Sequence, residues 1–239
     1  MNVIYQPTGR AREYSQLACN IFSGCAHGCT YCYCPAITRK TLDEWKNNSR
    51  PRPNIIEKFR KDAERLNGDP REILFCFMSD PYQNDESTMI MGELLLIAQE
   101  NKLKIQILTK AGSRAIKHFP LLEKNNWKFG STISFCSELM REHWEPGAPS
   151  IASRIEAVKM AHEEGISTWV SVEPVITAGG ALEVMHELIG YVDLWKVGKL
   201  NHFPEFEKDV DWRKFLKDTR HILNGENVYI KKDLLKYEN

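Results

Sequence analysis

Ser23-Gly24-Cys25-Ala26-His27-Gly28-Cys29-Thr30-Tyr31-Cys32-Tyr33-Cys34 sets Cys25, Cys29 and Cys32 at C-x3-C-x2-C spacing within one short loop. Three thiolates this close can surround one small inorganic centre but leave it a ligand short. A [4Fe–4S] cube held by three cysteines has one iron open to an exogenous chelator. Gly24 and Gly28 allow the backbone to curl tightly around such a centre. Other readings stay open. Cys25, His27, Cys29 and Cys32 also make a Cys3His zinc set, although such sites usually pair two knuckles across a longer stretch. A disulfide framework is disfavoured, because seven cysteines is an odd number and 239 residues need no stapling.

Outward from the loop, the chain alternates short apolar runs with longer amphipathic ones. Residues 16–22 read as a strand that delivers the cysteines. Residues 54–67 place Ile55, Ile56, Phe59, Ala63 and Leu66 on one helical face, with Asn54 as N-cap and Gly68 beyond the end. Residues 72–78 form a continuous apolar strand of the doubly buried kind, ending at Ser79-Asp80-Pro81. The alternation continues with helix 87–101, strand 104–110, helix 112–124, strand 128–134, helix 150–164 capped by Ser150, strand 167–173, helix 181–190, strand 191–198 and helix 211–223. Val228-Tyr229-Ile230 and a polar tail follow, and 46–53 reads as a surface loop.

Strand–helix alternation six times over predicts an α/β fold with right-handed crossovers and parallel strands. Six units fall short of the eight of a closed barrel. The expectation is a single-domain partial (βα)6 TIM-like barrel over 1–239, with its core at about 16–200 and a C-terminal helix and tail at about 201–239. At its mouth the strand-end residues Ser79, Asp80, Lys110, Ser134 and Glu173 would collect as a ligand site.

Composition narrows the function classes. Hydrophobic content is 42% and formal net charge zero. No apolar run approaches the roughly 20 residues of a membrane span, and the first residues lack the pattern of a signal peptide. Free cysteines beside an oxygen-sensitive site fit a reducing cytoplasm. Charge is uneven: residues 10–61 hold ten basic and four acidic side chains, an excess able to meet phosphates. The seven histidines are scattered, and there is neither a nucleophile elbow nor a phosphate-binding glycine loop, which disfavours a conventional hydrolase.

The cysteine loop, with Tyr31 before the third cysteine, resembles the signature of the radical S-adenosylmethionine (SAM) superfamily. Tyr31-Cys32-Tyr33, Phe77-Met78-Ser79-Asp80, Thr109-Lys110, Ser134, Glu145-Pro146-Gly147, Ser153-Arg154-Ile155-Glu156-Ala157 and Val228-Tyr229 occur in the order of its spore photoproduct lyase-like ("DNA repair photolyase") branch. The resemblance implies that Cys25, Cys29 and Cys32 ligate a [4Fe–4S] cluster whose open iron binds SAM. It puts Ser79 and Asp80 at the SAM amino group, Lys110 and Ser134 at its carboxylate, and Tyr31 and the backbone near Glu173 at its adenine. Arg154 would hold Glu145 or part of SAM. A carboxylate facing an ammonium, and an ammonium facing a carboxylate, are sensible pairings.

The branch implies hydrogen abstraction from a thymine-derived nucleobase in DNA, for lesion repair or base rearrangement, and an external electron donor such as a reductase, flavodoxin or ferredoxin. One departure stands out. Phe77 occupies the position of the lyase's hydrogen-donating cysteine, and strand alternation is expected to turn Cys76 to the opposite face. Cys136, just after Ser134, and Tyr33 are then the expected hydrogen donors. The rival readings are the same chemistry on a peptide or small metabolite, and a non-enzymatic zinc or iron–sulfur module.

Overall fold

The computed structural model describes residues 2–199 and 210–238. The strands are β1 (Ile4–Tyr5), β2 (Leu17–Cys19), β3 (Phe22–Ser23), β4 (Arg50–Pro51), β5 (Glu72–Phe75), β6 (Lys104–Thr109), β7 (Lys128–Thr132), β8 (Ser167–Val175), β9 (Leu194–Lys199) and β10 (Val228–Ile230). The helices are α1 (Cys34–Ile37), α2 (Leu42–Asn47), α3 (Ile55–Arg65), α4 (Asp85–Glu100), α5 (Phe119–Lys124), α6 (Glu138–Trp144), α7 (Ile151–Glu163), α8 (Ala178–Leu188) and α9 (Trp212–Ile222).

Eight strands form one sheet in the order β1-β2-β5-β6-β7-β8-β9-β10. Every neighbouring pair from β2 to β10 runs parallel, and β1 lies antiparallel to β2. β1 and β10 end the sheet without pairing to each other, so this is the expected partial α/β barrel, open along one side. Val228-Tyr229-Ile230 is a true strand, in register with Trp195-Lys196-Val197.

Strand periodicity explains the two-sided burial. Ile73, Phe75, Ile105, Ile107, Phe129, Val170, Val172 and Val197 belong to the main core that packs the helices. Their alternates Ala18, Leu74 and Trp169 form a second cluster, with Tyr14, Phe77 and Leu108 packed against it. Burying one such side chain contributes roughly 1.5–3 kcal/mol before the entropy of ordering it.

Several local expectations need correction. Residues 46–53 are not simply a loop, since Arg50–Pro51 pairs antiparallel with Phe22–Ser23. Asn54 precedes α3 but sits at φ 56, in the left-handed region and not in the extended one typical of a capping residue, and makes no side-chain cap. Residues 112–124 split into a 3-10 turn (Gly112–His118) and α5, with Pro120 in the first turn of the new helix. Ser150 does cap α7, accepting from the Ser153 amide. Helix α6 was not foreseen.

Candidate active site

The cysteine loop runs from β3 to α1 and is fixed from several sides. The Cys25 amide donates to the Trp45 carbonyl of α2, and the Thr30 amide to the Trp144 carbonyl of α6. The Ala26 amide donates to Gln83 Oε1 at 2.5 Å, and the Gly147 amide to the His27 carbonyl at 2.8 Å. Gly24 and Gly28 adopt positive φ, as expected of a tight curl. At Gly147 a Cβ would lie 2.5 Å from the Ala26 carbonyl oxygen, so the Glu145-Pro146-Gly147 segment can brace the loop only through a glycine.

Cys25, Cys29 and Cys32 all face one cavity of about 370 Å³ at the C-terminal ends of the strands. Tyr31, Tyr33, Ser79, Asp80, Lys110 and Glu173 share its wall. Burial pushes the Cys29 thiol up to about 12, whereas the neighbouring Cys34 thiol lowers Cys32. Among the described residues no three His, Cys, Asp or Glu side chains come close enough to hold a single metal ion.

Asp80 ties the β5 and β6 strand ends together. Its Oδ1 accepts from Thr109 Oγ1 at 2.6 Å and from the Tyr82 amide, and its Oδ2 accepts from the Lys110 amide at 2.6 Å. Beside it, Tyr31 donates to Glu145 Oε1, while Arg154 meets Glu145 Oε2 at 2.5 Å. Lys110 Nζ lies 3.9 Å from Glu145 and 5.7 Å from the Tyr31 ring centre. Burial alone would raise the Glu145 carboxyl, but Arg154 and Lys110, with hydrogen bonds from Tyr31 and Arg154, hold it below the usual range.

A second polar group lies where β8, β9 and β10 meet. Tyr14 donates to Glu173 and bonds Ser171 at 2.8 Å. Lys231 stands 3.5 Å from Glu173 and 4.1 Å over the Tyr14 ring. Burial raises the Glu173 carboxyl despite Lys231 and Tyr14.

The sequence-expected residues therefore divide. Glu173 faces the cavity, but within the Tyr14–Lys231 group. Arg154 is fully buried, away from the cavity wall, and reaches Glu145. Ser134 is also fully buried off that wall, and its Oγ finds no hydrogen-bond partner among the described residues. Cys136 is not on the wall either; Glu183 and Glu187 of α8 raise its thiol further after burial, which places it towards the outer helices. Cys76 corrects the alternation argument. β5 ends at Phe75, so Cys76 and Phe77 both line the cavity, and the Cys76 thiol donates to the Ser79 carbonyl. Tyr33 lines the cavity and donates to the Phe77 carbonyl at 3.3 Å. Tyr14, Lys199 and Lys231 escaped the sequence reading. They lie outside the predicted strand–helix units or at their ends, where periodicity carries no signal.

A family model described as Radical SAM superfamily matches residues 19–189. Uncharacterized protein MJ0683 of Methanocaldococcus jannaschii is 25% identical over 162 residues, covering 66% of this chain and 59% of that protein. The chain thus spans less than two thirds of that relative's length. Spore photoproduct lyase complexed with dinucleoside spore photoproduct superposes with a TM-score of 0.67 at 15% identity, covering 94% of this chain and 79% of the other. SuiB of Streptococcus suis bound to S-adenosylmethionine gives 0.62 at 14% identity, covering 90% and 50%. At such identities the two structures are likenesses of fold. The family match takes in the cysteine loop and the barrel as far as α8, well over half of the chain, and the protein belongs to the radical SAM superfamily of enzymes.

Proposed function

We propose that this radical SAM enzyme acts on a thymine-derived nucleobase in DNA, reversing a lesion or rearranging a base. In this reading Cys25, Cys29 and Cys32 hold a [4Fe–4S] cluster, and the chain is a single catalytic domain. The observation that carries it is one cavity lined both by the three thiols and by the polar, aromatic group Tyr14, Glu173 and Lys231. The donor set fits a cluster. Three thiols share a wall, yet no three candidate ligands close on one ion. A cube is larger than an ion, so its ligands stand further apart. The His27 Nε2 atom, on the cavity lining, buried and without a partner among the described residues, leaves hydrogen-bonding capacity there.

A cluster held by Cys25, Cys29 and Cys32, with SAM, would supply radical chemistry able to abstract hydrogen from the substrate. The chain's own residues orient and shield. Lys110, with its ammonium on the cavity wall, suits the SAM carboxylate, and Tyr31 is fixed by Glu145 for contact with the adenine. Asp80, which accepts three internal donors and has His27 Nδ1 3.6 Å from its Oδ2, lies on the cavity lining where its negative charge suits the SAM amino group. Tyr33 and Cys76 are better placed than Cys136 to return a hydrogen atom, because both line the cavity. A nucleobase would have to leave its stack to enter. The reducing cytoplasm remains the natural compartment for such a centre. No helix among the described residues is long and apolar enough to cross a membrane.

The likeness to spore photoproduct lyase carrying its dinucleoside supports the nucleobase reading over the peptide one. SuiB bound to a precursor peptide is matched over only 44% of its length. The test is anaerobic turnover of the reconstituted enzyme with thymidine oligonucleotides, damaged and undamaged, and with peptides. Deoxyadenosine formation stimulated by a DNA substrate supports the proposal. Stimulation by peptides alone overturns it.

A further inference from the structure

We propose that the outer face of the cysteine loop, built by α1, α2 and β4, is the docking surface for an acidic one-electron carrier protein, received by Lys46 and Arg50. The inference rests on the cluster reading of Cys25, Cys29 and Cys32 and is independent of the substrate.

The loop carries these cations on its back. Arg50 pairs with Ser23 across β3 and β4, and Ser23 stands two positions before Cys25. A Cβ at Gly24 would lie 2.6 Å from the Trp45 carbonyl oxygen and 2.7 Å from Ser49 Cα, so α2 and the residues leading into β4 pack directly on the loop. A Cβ at Gly28 would lie 2.7 Å from Lys46 Cδ, which lays the Lys46 stem over the residue before Cys29. Lys40 stands 5.6 Å from the Trp45 ring centre, and Arg39 beside it is exposed, as is Arg50. Among the described residues Arg39, Lys46 and Arg50 form no ion pair. On the neighbouring α3, by contrast, Lys61 and Arg65 are paired with Glu57 and Asp62. Residues 39–50 set four cations against Asp43 and Glu44, and Glu44 is taken up by the capping box, accepting from the Thr41 amide at 2.7 Å.

Position decides the kind of partner. None of Arg39, Lys40, Lys46 and Arg50 lines the cavity, whereas all three thiols do. A molecule seated on this face therefore cannot present a reacting atom to the cavity, but it lies against the segment that holds the cluster. What a cluster takes from a protein partner there is one electron: the carrier's reduced centre loses it, the cluster gains it, and no proton or group moves. A cationic face selects a carrier with an acidic surface. Electron-transfer encounters of this kind bury less than about 1,200 Å² and are steered by charge more than held by area, so a few cations suffice. Ile37, 59% exposed on α1, offers an apolar contact beside them.

The test reduces reconstituted holoenzyme anaerobically with an acidic flavodoxin in its hydroquinone form, and separately with dithionite, following the cluster absorbance by stopped flow. The wild-type rate with flavodoxin should fall about tenfold or more as salt is raised. Lys46→Glu/Arg50→Glu should slow the low-salt reaction about tenfold or more and weaken calorimetric binding of the oxidised flavodoxin in parallel. Lys46→Arg/Arg50→Lys should restore both, and dithionite should still reduce every variant fully, which reports an intact centre. Lys46→Gln/Arg50→Gln serves if the charge reversal destabilises the loop. A flavodoxin rate unchanged by the reversal, or insensitive to salt, overturns the docking surface. So does a reversal that weakens binding of a thymidine oligonucleotide and leaves the flavodoxin rate alone, which gives the face to nucleic acid. If no reducible cluster assembles, the cluster reading falls and this inference with it.

Discussion

Arg154→Met strikes the buried link between the barrel and the cysteine loop. Arg154 and Glu145 are both fully buried, with Nη1 2.5 Å from Oε2. The guanidinium also donates to the Pro149 carbonyl from Nε and Nη2, at 3.2 and 2.9 Å, and to the Thr132 carbonyl at 3.3 Å. Methionine fills similar volume but leaves Glu145 charged, with only Tyr31 and the more distant Lys110 beside it. Breaking a buried pair from one side costs about 3–5 kcal/mol, and the orphaned carbonyls push towards the upper end. A domain stable by only about 5–15 kcal/mol would feel that severely.

The assay is urea unfolding of wild type, Arg154→Met, Glu145→Gln and the double variant. The double should cost at least about 2 kcal/mol less than the sum of the singles, because it leaves no charge stranded. Sign matters with pH. Glu145 is held below its unfolded value, so its contribution is complete above about pH 4.3 and lost as pH falls through the folded value. An Arg154→Met variant within about 1 kcal/mol of wild type, or strictly additive singles, would refute the reasoning.

Gly147→Ala drives a methyl group into the Ala26 and His27 carbonyl oxygens, 2.5 and 2.7 Å away. It should destabilise by about 1–3 kcal/mol and lower the iron retained after reconstitution, measured by urea unfolding and iron analysis. Asp80→Asn sets an amide –NH2 against the backbone or hydroxyl donors that Asp80 now satisfies, and should cost about 1–3 kcal/mol in the same assay. Lys196 titrates at about 8 when folded and near 10.4 when unfolded, so in that window the unfolded chain holds the extra proton. Wild-type stability relative to Lys196→Met should therefore rise by about 2 kcal/mol from pH 8 to about pH 9.5, and a flat difference contradicts the assignment.

The barrel was legible because its strands are buried on both faces and read as unbroken apolar runs, as at Ile73-Leu74-Phe75. The cysteine loop was legible because spacing survives without three-dimensional context. What hid was of two kinds. Alternation failed at Cys76, where the strand stops one residue earlier and the periodic rule lapses with it. Long-range partnerships left no local mark. Arg154 was tied to Glu145 through the family resemblance and not through periodicity, and Tyr14 contacts Ser171 and Glu173 more than 150 positions away. Ser134 was correctly placed near a strand end, but its side chain lies behind the cavity wall.

The central claim is that Cys25, Cys29 and Cys32 hold a cluster that reductively cleaves SAM. Its most direct test is anaerobic reconstitution with iron and sulfide, then dithionite reduction with SAM and a deoxyadenosine assay, for wild type and Cys29→Ala. The account predicts a [4Fe–4S] spectrum and deoxyadenosine from the wild type alone. Tightly held zinc, with no cluster and no SAM cleavage in either protein, would contradict it.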